Sequence, residues 1–503
     1  MFHIKYSSFH MLVVPLLVYG FVISSWGWGQ LLHLILNKKE IRETPLCVLA
    51  GFLHMVLIPY VLWVLHVPFP FSLGLTATVG LASALYFQYF RIWPWDYHLA
   101  IFILGCAALI IDYIPVMDDE FNLWASAPIR MFLEGTLLPK EASCWDTYTP
   151  LSHLWGMYFQ FLIVFKSFAG DTGIYISRST IWLTLIYYMK NSVSKRWDAQ
   201  IVMVFAAYAL TTLYRGRGYH SLVIESITYP IITYAFLMAK QFIETKNPTP
   251  YQEYTLGLSV LGGYMFKKSL IPLFVSWGYW AWGKVTLRSV LIFFIASLVV
   301  IVSWYLACMS HNELWQYKFQ NGWWYNDRAM LVYKALYQRV LEFWPNWVLL
   351  VGGLFLLQDN KRFKIGVIVC ISIYVIGLVV LYLQSFNVEE ASRLASFKRY
   401  MTVLIVPTVL IAVYSALQRL KDKTPKDAIT TFVLLALVLS PLLSYSRGDL
   451  TPIRQIRDDF FQSPQNETTI YHDKAHRYSQ QLDYYARIFR LWGKTLKHQE
   501  IRQ

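Results

Sequence analysis

The sequence predicts an all-α polytopic membrane protein, a bundle of about 13–15 hydrophobic segments with outer-face loops and a small C-terminal outer tail. Three observations carry this. Of the 503 residues, 56% are hydrophobic and 15% charged, whereas a soluble chain is nearer a quarter charged. Apolar runs of roughly 18 to 22 residues recur along the whole chain, each long enough to span a bilayer as a helix. Helices rather than open sheets are required, because hydrocarbon offers nothing to an unpaired backbone N–H or C=O. The 17% aromatic content fits Trp and Tyr belts at the two interfaces.

The formal net charge of +14 reads first as basic loops held on the cytoplasmic side. It is not read as a nucleic-acid signature; the partner it implies is the lipid bilayer, and a second reading is binding of anionic lipid or phosphate. The cysteines, Cys47, Cys106, Cys144, Cys308 and Cys370, show no metal-ligand spacing. They leave one pairing open, Cys144 with Cys308. No cleaved signal peptide is expected, since the run from Met11 is long and lacks a small-residue cleavage site.

Residues 1–116 are expected to hold the N-terminal transmembrane helices, with runs at Met11–Leu36, Leu46–Leu65, Phe71–Phe90 and Tyr97–Pro115. The basic stretch Asn37 to Arg42 should be cytoplasmic. His33 and His54 read as packed, hydrogen-bonded helix residues. Counting crossings puts Asp118-Asp119-Glu120 outside, where three carboxylates beside an apolar run form a functional-site candidate. Residues 117–149 read as an outer catalytic loop with an amphipathic helix around Trp124, Met131 and Phe132, ended by Gly135 and Pro139. Pro150 suits the first turn of the next helix.

Residues 150–443 are expected to form the transmembrane core. Two full crossings between Pro150 and Met189 would carry the basic cluster Lys190, Lys195 and Arg196 outside. One of the segments 150–168 and 174–189 is therefore expected to be re-entrant or interfacial. Arg215 to His220 form a basic loop on the predicted outer face, an exception to the charge rule that suggests an anionic ligand. Lys267-Lys268 interrupts an apolar stretch reaching Trp282, and the count places the pair near the outer surface. Such charges are costly in a membrane protein unless paired or facing water. An aromatic-rich outer loop is expected from Met309 to about Phe343, and a small helical outer appendage over 444–503.

The predicted outer face thus gathers an acidic set (Asp118, Asp119 and Glu120, with Asp112, Asp146 and Glu225) and a basic set (Arg215, Arg217, Lys267, Lys268, Arg393, Lys398 and Arg399). A carboxylate can take a proton from an acceptor hydroxyl. Lysine and arginine can stabilise charge on a departing phosphate.

In this order the motifs resemble the GT-C superfamily of membrane glycosyltransferases, near the aminoarabinose transferase and protein mannosyltransferase branch. The resemblance rests on Asp119-Glu120, Gly135, Pro139 and Tyr148-Thr149-Pro150-Leu151, on Arg217 to Glu225, on Phe266-Lys267-Lys268-Ser269 with Pro272, and on Arg399-Tyr400 with Pro407. It implies a GT-C-like bundle and an inverting transfer from a polyprenyl-phosphate sugar to a cell-surface glycan or lipid, such as lipopolysaccharide core. The site would face the periplasm from a bacterial inner membrane. It implies Asp119 as base or acceptor-orienting carboxylate, supported by Glu120 and Asp118. Lys267, Lys268, Arg399 and Arg217 would hold the donor phosphate; Arg215, His220, Glu225, Tyr148, Asp146 and Tyr400 would line the substrate site. No metal or other cofactor is expected. Two other readings stay open: a glycan ligase or polymerase using a diphosphate-linked donor, and a lipid-linked sugar transporter or flippase. Transporters place charges near the midplane and often show repeated halves, and no internal repeat is visible here.

Overall fold

The computed structural model describes residues 4–37, 44–89, 169–193, 197–212, 225–310, 327–357, 360–384, 388–394 and 396–419, the strands 467–472 and 495–500, and positions 131, 134–137, 158 and 386. Apart from the two strands, the regular elements among these residues are helices. They are α1 (Ile4–Asn37), α2 (Thr44–Val64), α3 (Phe69–Tyr89), α4 (Ala169–Val193), α5 (Trp197–Thr212), α6 (Glu225–Glu244) and α7 (Pro250–Phe266). A 3-10 turn at Lys268–Leu270 leads to α8 (Pro272–Ala281), α9 (Leu287–Ser310), α10 (Asp327–Glu342), α11 (Trp344–Leu356), α12 (Lys361–Gln384), α13 (Val388–Arg393) and α14 (Phe397–Gln418).

Five helical stretches among the described residues are long and apolar enough to cross a membrane: Pro45–Val64, Phe69–Phe87, Leu287–Ala307, Lys361–Gln384 and Phe397–Gln418. They mark the chain as a membrane protein. Helix α14 is the central post, with 78% of its apolar window buried, and α9 is peripheral, with 17% buried. Leu291, Phe294, Ile295, Leu298 and Leu306 of α9 all face outward, as lipid-facing side chains would.

The basic loops converge on one end of the bundle. Asn37 at the end of α1 accepts from Tyr251 N at the start of α7 (3.1 Å). Lys284 Nζ donates to Ile243 O (2.6 Å) and Thr245 O (2.9 Å). Lys240 Nζ donates to Gln418 Oε1 (2.9 Å), and Gln418 Nε2 donates to Ser192 O (3.4 Å). Arg419 caps Leu356 O (2.6 Å). These contacts put the ends of α1, α4, α6, α11 and α14 at this basic end, with the starts of α7 and α12. Helix α4 is unbroken over 25 residues, roughly 37 Å at 1.5 Å per residue, and brings Lys190 to the same end. Segment 174–189 is thus part of one continuous helix; segment 150–168 lies outside the described residues except for Tyr158, whose hydroxyl donates to Met55 O (2.6 Å).

Helix α7 starts where the sequence says it should. Thr249 and Gln252 form a reciprocal capping box, with Pro250 in the first turn. His54 is tied to Ala50 O (2.8 Å) and Tyr254 Oη (3.1 Å), and His33 to Asn37 (2.9 Å), so both histidines are packed helix residues as expected.

Three expectations change. The run from Tyr254 to Trp282 is two helices, α7 and α8, joined by an extended Lys267 (φ −151°, ψ 108°) and the 3-10 turn. The loop expected before Phe343 contains α10, whose small residues Ala329, Val332 and Ala335 recur every three positions and are buried where it packs on α13. The tail is not helical where described: β1 (Glu467–His472) and β2 (Thr495–Glu500) pair in parallel, Glu467 opposite Thr495 through His472 opposite Glu500. The β-branched run Thr468-Thr469-Ile470 favours a pleated surface over a helix.

Candidate functional site

Helix α8 returns toward the basic end beside α12. Ser276 Oγ donates to Gly366 O (2.9 Å), Trp280 stacks on Phe363 (6.0 Å), and Arg362 donates to Tyr279 O (2.9 Å). Lys267 therefore sits at the turn of a hairpin inside the bundle. The Tyr374 hydroxyl reaches the same level, donating to Tyr400 O (3.0 Å). Helix α12 continues ten residues past Tyr374 to Gln384, about 15 Å further. The lysine turn is enclosed by these helices, and Lys267 is 7% exposed.

The Tyr400 ring is the hub. Lys267 Nζ lies 4.7 Å from its centroid and the Arg399 guanidinium 5.3 Å. The two cations are thus at most about 10 Å apart, close enough in an apolar interior to repel. Arg399 and Lys398 also occupy the first turn of α14, which holds no acidic residue and no side-chain cap. Cations are unfavourable at the positive end of a helix dipole. Leading into this turn, Leu394 (φ 46°) and Ser396 (φ 61°) hold left-handed conformations. Non-glycine residues adopt these at a cost of order 1–3 kcal/mol, typically near functional sites. Cations, dipole and strain together make this hub the candidate site.

Lys268 points elsewhere. Its Nζ lies 5.5 Å from the Trp304 ring, Trp304 is 6.4 Å from Trp63, and Trp63 Nε1 donates to Thr136 Oγ1 (3.4 Å). Thr136 belongs to the expected catalytic loop. There the Thr136 N–H donates to Met131 O (3.1 Å) and Gly135 adopts φ 66°, the way a glycine stops a helix. The extended Lys267 thus sends two neighbouring lysines to different partners, one to the Tyr400 ring and one toward the loop that follows the carboxylates.

The far end of α12 adds residues that sequence reasoning missed. Tyr382 is fully buried and stacks on Phe386 (4.5 Å, 20° between planes), and Phe386 lies 6.3 Å from Tyr400. Arg328, at the start of α10, donates through Nη2 to Tyr382 O (3.0 Å) and to Phe386 O, taking up carbonyls that the helix end leaves without partners. Burial pushes the Arg328 guanidinium down from its ordinary value.

Of the expected site residues, the structure brings together Lys267, Arg399 and Tyr400. Lys268 is adjacent but turned to Trp304. Arg393 is removed from the basic set: it pairs with Glu389 (2.8 Å) on an exposed surface, the two side chains 72% and 73% accessible. Lys398 is also exposed. Glu225 opens α6. Asp118, Asp119, Glu120, Asp146, Tyr148, Arg215, Arg217 and His220 lie outside the described residues. Among the described residues, no three His, Cys, Asp or Glu side chains gather as a metal site. No family model, curated protein or solved structure matches the chain.

Proposed function

We propose that this chain is an inverting membrane glycosyltransferase of the GT-C type. In this reading it moves a sugar from a polyprenyl-phosphate donor to a cell-surface glycan or lipid on the outer face of a bacterial inner membrane. The observation that carries the reading is the convergence of Lys267 and Arg399 on Tyr400 in a recess of an apolar bundle. A lipid phosphate has its charge at the end of a long apolar chain. Cations set inside an apolar bundle suit that shape.

The roles follow from charge. Attack by the acceptor oxygen forms a new bond at the anomeric carbon as the bond to the phosphate oxygen breaks. The electron pair leaves with the polyprenyl phosphate, where Lys267 and Arg399 stabilise it. The acceptor proton passes to a carboxylate, for which Asp119 is the candidate. Tyr400 fixes the spacing of the two cations, and Tyr374 holds the Tyr400 backbone.

The test is sugar transfer by the purified chain in detergent, with polyprenyl-phosphate sugars and an envelope-glycan extract. Asp119→Asn should lower turnover about a hundredfold to ten-thousandfold while donor binding persists. Unchanged turnover would refute the base assignment. One observation favours a second reading, a lipid-linked sugar transporter: charged residues at a helix break are a transporter feature, and α7 and α8 break at Lys267. In that case the same assay yields no glycosidic product, and Lys267→Gln changes flux of the lipid-linked sugar across vesicles.

A further inference from the structure

Two hydrogen-bond donors at the far end of α12 have no partner among the described residues. Gln384 Nε2 is fully shielded, on a side chain 8% exposed, and Arg328 Nε is shielded in the same way. The carbonyls that Arg328 does hold, those of Tyr382 and Phe386, flank Gln384 in the chain. An unmet buried donor costs about 1–3 kcal/mol, more for a charged group, and such groups in native proteins call for an explanation. Both are donors, so what they lack is oxygen acceptors. The charge of Arg328 is already answered by two carbonyls at the negative end of α12. The missing acceptors therefore need carry no charge.

Phe386 lies beside these donors, half-buried and backed by Tyr382. Its ring is 6.3 Å from Tyr400, the ring that Lys267 and Arg399 flank. A flat apolar face, two donors for neutral oxygens and an adjacent cationic pocket match a sugar ring joined to a phosphate.

We infer that Gln384, Arg328 and Phe386 form the sugar subsite of the same ligand whose phosphate lies at Lys267 and Arg399, and that Gln384 and Arg328 select the sugar through its hydroxyl or carbonyl oxygens. The inference rests on the proposed phosphate pocket, and the test separates the two.

Binding of inorganic phosphate, glucose 1-phosphate and N-acetylglucosamine 1-phosphate is measured calorimetrically on the full chain in detergent micelles. The wild type should bind at least one sugar phosphate about tenfold more tightly than phosphate. Gln384→Leu should bring that preference to within about twofold and leave phosphate affinity unchanged. Gln384→Met guards against misfolding: it keeps the length, removes the unmet donor, and should lose the preference with an undiminished melting temperature. Lys267→Gln should weaken all three ligands together. If phosphate binds but neither sugar phosphate binds better, or the preference survives both Gln384 substitutions, the sugar subsite is wrong and the phosphate pocket stands. If Lys267→Gln leaves every affinity unchanged, or nothing binds, the phosphate pocket falls and the subsite with it.

Discussion

Lys267→Gln is expected to lower glycosyl transfer by about a hundredfold to a thousandfold, the range for losing one preorganised charge-stabilising group. The same change one residue on, Lys268→Gln, should cost about tenfold or less, since Lys268 is half-buried and a cation–π contact is worth about 0.5–2 kcal/mol. The contrast follows from the break after Phe266. Lys267 is extended and buried beside Tyr400, whereas Lys268 enters the 3-10 turn and lies over Trp304. Parallel initial-rate measurements on the two variants decide the matter. Equal losses would mean that both lysines serve one phosphate, which the geometry opposes.

Gly51→Val is expected to abolish folded protein, measured as the monodisperse fraction in detergent. A Cβ at Gly51 would stand 1.6 Å from the Ser25 carbonyl oxygen; at Gly29 it would be 2.1 Å from Cys47 O, and at Gly27 2.0 Å from Gly80 O. These neighbours are backbone atoms and cannot swing aside. Helices α1, α2 and α3 therefore touch backbone to backbone, as small residues allow between membrane helices. The cost should exceed the 1–3 kcal/mol typical of overpacking against side chains. Gly74→Ala, on the same α3 with nothing within 4 Å of its Cβ position, is the control. It should fold normally, stabilised by up to about 1 kcal/mol. Folded Gly51→Val protein at wild-type yield would show that α1 and α2 do not cross so closely.

The long apolar helices were legible because composition alone decides them. The run Leu46–Leu65 reads as one span, and α2 is one helix over all but its last residue. Charge in an apolar run marked Lys267 and Lys268, and the Arg399-Tyr400 pair at a helix start was marked by motif. Which lysine faces the pocket was not legible, because it depends on one extended residue between two helices. Tyr374, Tyr382 and Phe386 were hidden by abundance: with 17% aromatic residues, three more carry no contrast. Arg328 was hidden because its loop looked irregular, and only the three-residue spacing of Ala329, Val332 and Ala335 signalled a helix there. Gln384 looked like the polar end of a span, and nothing in sequence says that its amide lacks a partner.

The burial of Lys267 has a consequence for ionic strength. Mobile ions screen exposed charges over about 8 Å at physiological salt and act far less on buried ones. The exposed Arg393–Glu389 pair lies within their reach, whereas Lys267, 7% exposed, is shielded by protein. A phosphate held there should stay bound as salt rises from low to physiological levels, and the grip on a lipid donor is then set by the recess rather than by the composition of the surrounding medium.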